Sequence, residues 1–131
     1  MSDQDTLSKK PAPDVEEPVA ALYSPDLMFM IRLQGMARAA GYEPLAIRNS
    51  GELGRAKVLV VNLAGSGGWE PIITEAAREG LPVVAFGPHL DAESRRLARK
   101  VGAMRVLANS NLERDLPRIL RDLASRETEE S

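Results

Sequence analysis

Cysteine is absent from the 131 residues, and histidine occurs only once. A chain without cysteine has no disulfide framework, no thiolate nucleophile and no thiolate metal site. A single histidine excludes a multi-histidine metal centre. No apolar run approaches the roughly 20 residues that span a bilayer, and the acidic, polar N-terminus carries no visible secretory signal. These absences predict a cytoplasmic protein with no membrane segment, no metal and no cofactor.

Aromatic residues are also scarce, at 4% of the chain, and the formal net charge is −2. Residues 1–18 carry −3 and residues 124–131 carry −2, so the body between them carries +3. This small basic excess argues against nucleic-acid binding. Aromatic side chains are few, and no element that could read a nucleic-acid groove is evident. Composition predicts a disordered acidic, proline-containing arm over 1–18, a folded domain over 19–124 and a disordered acidic tail over 125–131.

The most informative segment that is present is Lys57–Leu63, a short β-branched apolar run with a glycine-rich exit. Such a run is typical of a parallel strand buried on both faces. Strands are predicted at 19–23, 44–48, 57–63, 81–86 and 105–108. Helical segments alternate with them, which predicts an α/β protein with a single flavodoxin-like (βα)5 domain. Its parallel five-stranded sheet would have the order 2-1-3-4-5 and helices on both faces.

The helix predicted after the first strand is unusually apolar. Ser24 suits its N-cap and Gly41 its end. One stripe of this helix fits a core, whereas Leu27, Met28 and Ile31 fall outside that stripe. For these three residues, core packing is favoured over a surface kept for a partner.

Four motifs in this order resemble the receiver domain of bacterial response regulators. They are Gly41-Tyr42 at a helix end, Leu59–Leu63, Leu81–Phe86 and Val101–Leu107. The resemblance covers about residues 19–123. It implies a two-component signalling fold in which an aspartate at the end of the third strand accepts a phosphoryl group. It also implies an acidic pair after the first strand that binds Mg²⁺.

The chain departs from that chemistry at every implied position. Asn62 stands in place of the phosphorylated aspartate, and Ser24 stands near the acidic pair, with Asp26 as the only acid nearby. Gly87 replaces the Thr or Ser after the fourth strand, and Asn109 replaces the lysine after the fifth. An amide is a poor nucleophile, and Mg²⁺ prefers carboxylate oxygens. The sequence therefore predicts a pseudo-receiver that is not an enzyme and acts through protein contacts in bacterial signalling, without phosphorylation.

Cations cluster on the two helices that flank the predicted fifth strand. The cluster contains Arg95, Arg96, Arg99, Lys100, Arg105, Arg114, Arg118 and Arg121. Receiver relatives commonly use this face for dimerisation and for passing signals to output domains. The resemblance therefore implies a protein partner or a homodimer at this face. A solvated face with local ion pairs is an equally favoured alternative.

A second hypothesis places a small ligand, a nucleotide or another anion, at the carboxyl end of the sheet. Its residues are Gly65, Ser66, Gly67, Trp69 and His89. Helix N-termini attract anions, but the loop matches neither the dinucleotide nor the phosphate-loop pattern, so a flexible turn is favoured. A hydrolase with His89 as its base is weaker still, because no nucleophile is evident beside it.

Overall fold

A computed structural model describes residues 17–65, 68–88 and 91–130. Five parallel strands form one sheet in the order β2-β1-β3-β4-β5. The strands are β1 (Val19–Tyr23), β2 (Glu43–Ala46), β3 (Val58–Asn62), β4 (Val83–Gly87) and β5 (Arg105–Ala108). The helices are α1 (Leu27–Ala39), α2 (Glu70–Arg78), α3 (Ala92–Val101) and α4 (Leu112–Glu130). The predicted fold class and strand order are confirmed.

The sheet is most buried at its centre and most exposed at the β2 edge. Every residue of β3 and of β4 is buried, as a strand covered on both faces requires. At the edge, the N–H groups of Glu43 and Ile47 donate to Pro18 and Leu22 of the neighbouring chain segment. Pro44 lies between these donors and faces the open side, where its missing N–H costs no ladder bond.

Each face of the sheet has its own core. Helices α1 and α4 cover one face, where Leu33, Phe86 and Leu116 are among the fully buried residues. The buried Tyr42 hydroxyl donates to the Leu120 carbonyl over 2.8 Å and joins the end of α1 to α4. Helices α2 and α3 cover the other face. A single 3₁₀ turn, Ser50–Glu52, connects β2 to β3.

The prediction for α1 is right about its buried stripe and wrong about the rest. Met30 and Leu33 are buried as predicted, but Leu27, Met28 and Ile31 are 72%, 69% and 57% exposed. The predicted core packing of these three residues is therefore incorrect. Helix α1 packs on the sheet beside α4. Leu27, Met28 and Ile31 lie on the side of α1 that meets neither of them, so they stay exposed.

Two helix ends also differ from the prediction. Asp26, and not Ser24, caps α1, since its Oδ1 atom accepts from the backbone N–H groups of Met28 and Phe29 at 2.8 and 3.2 Å. Helix α4 continues past its predicted end near Ala124 to Glu130, so 125–130 is helical where a tail was expected. This segment has no glycine or proline, and extending an existing helix costs little.

Residues 1–16 of the predicted arm lie outside the described residues. Among the helices that the structure describes, none combines the length and apolarity needed to cross a membrane.

Candidate functional site

The carboxyl ends of β1, β3, β4 and β5 meet at one end of the sheet, where a receiver would hold its phosphorylation site. The strand register pairs Tyr23 with Val61, Asn62 with Phe86, and Gly87 with Ala108. The loops that begin at Ser24 and Asn109 follow directly. The degenerate positions named from the sequence therefore all lie at this end.

Asn62 is 1% exposed, and both polar atoms of its amide are used inside the chain. Its Nδ2 atom donates to the Ser24 hydroxyl over 3.0 Å. Its Oδ1 atom accepts from the Ala64 N–H over 2.9 Å. A buried amide with a partner for its donor and its acceptor is a stable arrangement. Asn62 thus links the loop after β1 to the loop after β3.

Asp26, the acid two residues after Ser24, is engaged in capping α1. The Ser24 hydroxyl accepts from the Asp26 N–H at 3.1 Å and donates to the Asp26 carbonyl at 2.9 Å. The Asp26 carboxylate caps α1 through Oδ1. Mg²⁺ needs octahedral oxygen ligands, and carboxylates usually anchor it. No group of three His, Cys, Asp or Glu residues within the described ranges could hold a metal ion.

Gly87 has a neighbour that restricts its replacement. A Cβ atom added to Gly87 would lie 3.2 Å from the Cβ atom of Leu63, a tight approach to a buried side chain. A Thr or Ser at this position would therefore require Leu63 to shift. Apolar packing by Leu63 thus fills part of the space beside Gly87.

The loop after β3 packs against the loop after β1. Gly68 has a φ of +84°, and a Cβ atom there would lie 2.8 Å from the Tyr23 hydroxyl. Gly65 has a φ of +95°, and a Cβ atom there would lie 3.4 Å from Pro25. Glycine tolerates these conformations without strain. Gly65 and Gly68 thus allow the chain after β3 to approach Pro25 and Tyr23 closely.

The remaining predicted site residues are only partly described. Asn109 opens a 3₁₀ turn, and its Oδ1 atom is buried without a hydrogen-bond partner among the described residues. Trp69 is 4% exposed and packs in the core between α2 and the sheet, which keeps its ring away from solvent. Ser66, Gly67 and His89 lie outside the described residues. Ligand binding at this end of the sheet stays a prediction.

The cations on α3, β5 and α4 form what we call the basic face, defined by the eight residues named from the sequence. Asp115 lies among three of them, with Oδ1 at 3.0 Å from Arg114 Nε and 3.4 Å from Arg118 Nη2. Hydrogen bonding from Arg114, aided by the charges of Arg118 and Arg105, lowers the pKa of Asp115. On α3, Arg96 pairs with Glu93 at 3.4 Å. Local ion pairs therefore offset part of the positive charge of the basic face.

No protein-family model and no curated protein matches this sequence. Solved structures do match it. A response regulator receiver domain protein from Clostridium thermocellum has 16% identity and a TM-score of 0.69, covering 87% of this chain and 99% of that chain. The signal receiver domain of an HD domain-containing protein from Pseudomonas fluorescens Pf-5 has 14% identity and a TM-score of 0.70, with 87% and 99% covered.

A CheY-like receiver domain protein from Methanospirillum hungatei JF-1 has 17% identity and a TM-score of 0.67, again with 87% and 99% covered. At these identities the likeness shows the fold alone. The chain therefore has the fold of response regulator receiver domains, as the order and spacing of its motifs predict.

Proposed function

We propose that this chain is a pseudo-receiver, a signalling module that works through protein contacts and without phosphorylation. The observation that carries the proposal is the amide of Asn62. It is buried, it offers no carboxylate, and its Nδ2 and Oδ1 atoms bond to Ser24 and Ala64. Formation of an acyl phosphate requires a carboxylate nucleophile and a cation to neutralise the incoming charge.

The surroundings of Asn62 support the same proposal. Asp26 serves as a helix cap, and Gly87 carries no hydroxyl. Restoring a single group would not restore the chemistry, because the nucleophile, the Mg²⁺ ligands and the charge-stabilising lysine act together. We therefore expect the variant Asn62→Asp to remain unphosphorylated as well.

Amide NMR with intact-mass spectrometry tests this proposal. Spectra of the wild type and of Asn62→Asp are recorded alone, with Mg²⁺, and with Mg²⁺ and acetyl phosphate, beside an active receiver domain as positive control. We expect the signals of Asn62, Ala64 and Gly87 to stay in place and the mass to stay constant. A phosphoryl adduct on the wild type would contradict the proposal. Saturable shifts without an adduct would instead favour the ligand-binding hypothesis.

The basic face is the surface that we propose for the partner. Arg96, Arg114 and Arg118 are all more than half exposed, despite their local ion pairs. The face also spans both helices beside β5, so a partner can contact a broad area. Its charge fits a partner that presents acidic side chains.

Charge reversal measures whether this face is used. The variant Arg96→Glu, Arg99→Glu, Arg118→Glu is compared with Arg48→Glu, Arg55→Glu, Arg126→Glu, which changes the net charge equally outside the basic face. Proteins retained from a bacterial lysate on each tagged chain are identified by mass spectrometry. We expect retention of acidic proteins to fall only with the first variant, provided that both variants melt near the wild-type temperature. Equal losses would show nonspecific charge attraction and contradict the assignment.

A further inference from the structure

The outward side of α1, here called the α1 face, consists of Leu27, Met28, Ile31, Gly35 and Arg38. Three of these are the large apolar residues already described as more than half exposed, and Gly35 and Arg38 are exposed as well. At 100° per residue the five positions fall within an arc of about 100° of the helix. A contiguous apolar surface of this kind commonly marks an interaction site.

The spacing on the α1 face is self-complementary. Leu27, Ile31 and Gly35 follow one another at intervals of four residues, so they form a single stripe with Ile31 at its centre. A Cβ atom added to Gly35 would meet nothing within 4 Å, so the space outside it is open. If two copies of α1 pair antiparallel about Ile31, each Leu27 side chain faces the open space at Gly35 of the partner subunit.

The charges at the two ends of α1 favour the same arrangement. Asp26 at one end and Arg38 at the other are both exposed, and the midpoint between them lies one residue from Ile31. In an antiparallel pair, Arg38 lies near the N-terminal end of the partner subunit's α1, which Asp26 caps, whereas a parallel pair would place the two Arg38 side chains side by side. Arg32 does not interfere, because its Nε atom donates to Glu113 over 2.9 Å and its guanidinium lies over the Phe29 ring.

We propose that the α1 face joins two copies of this chain in a symmetric dimer, with the twofold axis passing near Ile31. In a twofold interface, one surface must complement itself. The α1 face does so, because Leu27 and the space at Gly35 lie at equal distances on either side of Ile31. A heterologous partner would need no such symmetry in the stripe. This dimer is independent of the proposed function, and it leaves the basic face open.

Disulfide trapping tests the geometry directly, because the natural chain has no cysteine. In the full chain, Ile31→Cys places two thiols across the proposed axis, and Arg99→Cys places them on the basic face as the matched control. Under mild oxidation we expect Ile31→Cys to form a covalent dimer and Arg99→Cys to remain monomeric. Trapping at Arg99→Cys alone would move self-association to the basic face and overturn the proposal.

Sedimentation over a range of concentrations tests the energetics. Ile31→Asp places two like charges at the axis, so we expect it to sediment as a monomer where the wild type is dimeric. Gly35→Leu should raise the melting temperature of the monomer, because leucine favours helix over glycine and the space is open. It should also weaken self-association by about tenfold or more, since it fills the gap that receives Leu27.

Opposite effects of one substitution on folding and on association are not expected of a residue with only a structural role. A wild type that stays monomeric at all concentrations would overturn the dimer. A dimer that both variants leave intact would also overturn it. Neither result would bear on phosphorylation or on the basic face, so this proposal and the proposed function fail separately.

Discussion

The α1 face and the basic face are both exposed surfaces, but their chemistry differs. The basic face holds many cations and offsets them with acids on the same helices, such as Glu93 and Asp115. The α1 face holds large apolar side chains, and the helix contains no acidic residue. A charged face is stable in water alone, whereas exposing an apolar face to water costs free energy until something covers it. The α1 face therefore suits a stable contact, and the basic face suits one that salt can reverse.

The largest contrast lies between the two sides of α1 itself. Leu33 is fully buried and Ile31 is exposed, yet they are two residues apart. We expect Leu33→Ala to lower the free energy of unfolding by about 2–5 kcal/mol and Ile31→Ala to change it by less than about 0.5 kcal/mol. Urea denaturation at low protein concentration measures both. A large loss with Ile31→Ala would show that Ile31 is part of the core and would remove the contrast.

The next largest difference should be the response of the two faces to salt. Raising NaCl from about 0.1 M to about 1 M shortens the Debye length from about 10 Å to about 3 Å. We expect retention of acidic partners on the basic face to fall several-fold, while self-association through the α1 face holds or becomes tighter. Repeating the retention assay and the sedimentation at both salt concentrations is the measurement. A dimer that dissociates in high salt would indicate that charges, and not the apolar stripe, hold it together.

The smallest expected effect concerns Asp115 on the basic face. Because its pKa in the folded state lies below the ordinary value of 3.8, its contribution to stability is present at pH 7 and is lost as the pH falls below that value. We expect Asp115→Asn to lower the urea midpoint slightly at pH 7 and by less near pH 3. The variant Asp122→Asn is a control on the same helix, since Asp122 takes no part in the ion pairs of Asp115 with Arg114 and Arg118. An equal loss at both pH values would point to packing as the cause.

The sequence predicts most of the fold and only part of these surfaces. Strand β3 can be predicted from the sequence because its apolar run is continuous. Strands β1 and β5 also have the predicted bounds. The exposure of the basic face can be predicted from the sequence because arginine side chains are mostly exposed in proteins. The exposure of the α1 face cannot be predicted in this way, since the type of an apolar residue near a helix start does not show whether it is buried or exposed. Leu27 and Ile31 could be assigned only once the sheet and α4 fixed which side of α1 is covered.

The site at the strand ends shows the same limit. The presence of an amide and not a carboxylate at position 62 is visible in the sequence, because it depends on residue type and strand position. Its bonds to Ser24 and Ala64 are not visible, since they depend on how two loops pack. The closeness of Leu63 to Gly87 likewise follows from side-chain packing that no spacing rule gives.

The edge position of β2 has a consequence for amide hydrogen exchange. Among the described residues, this strand pairs only with β1 and is mostly exposed. A single 3₁₀ turn follows it where a longer helix could have covered it. Its amides should therefore exchange through local opening, at rates far above those of β3, which open only with global unfolding. The basic face lies at the other edge of the sheet, beyond β4. We therefore expect local opening to be concentrated at the β2 edge, away from the basic face. The basic face should keep its structure while β2 opens and closes.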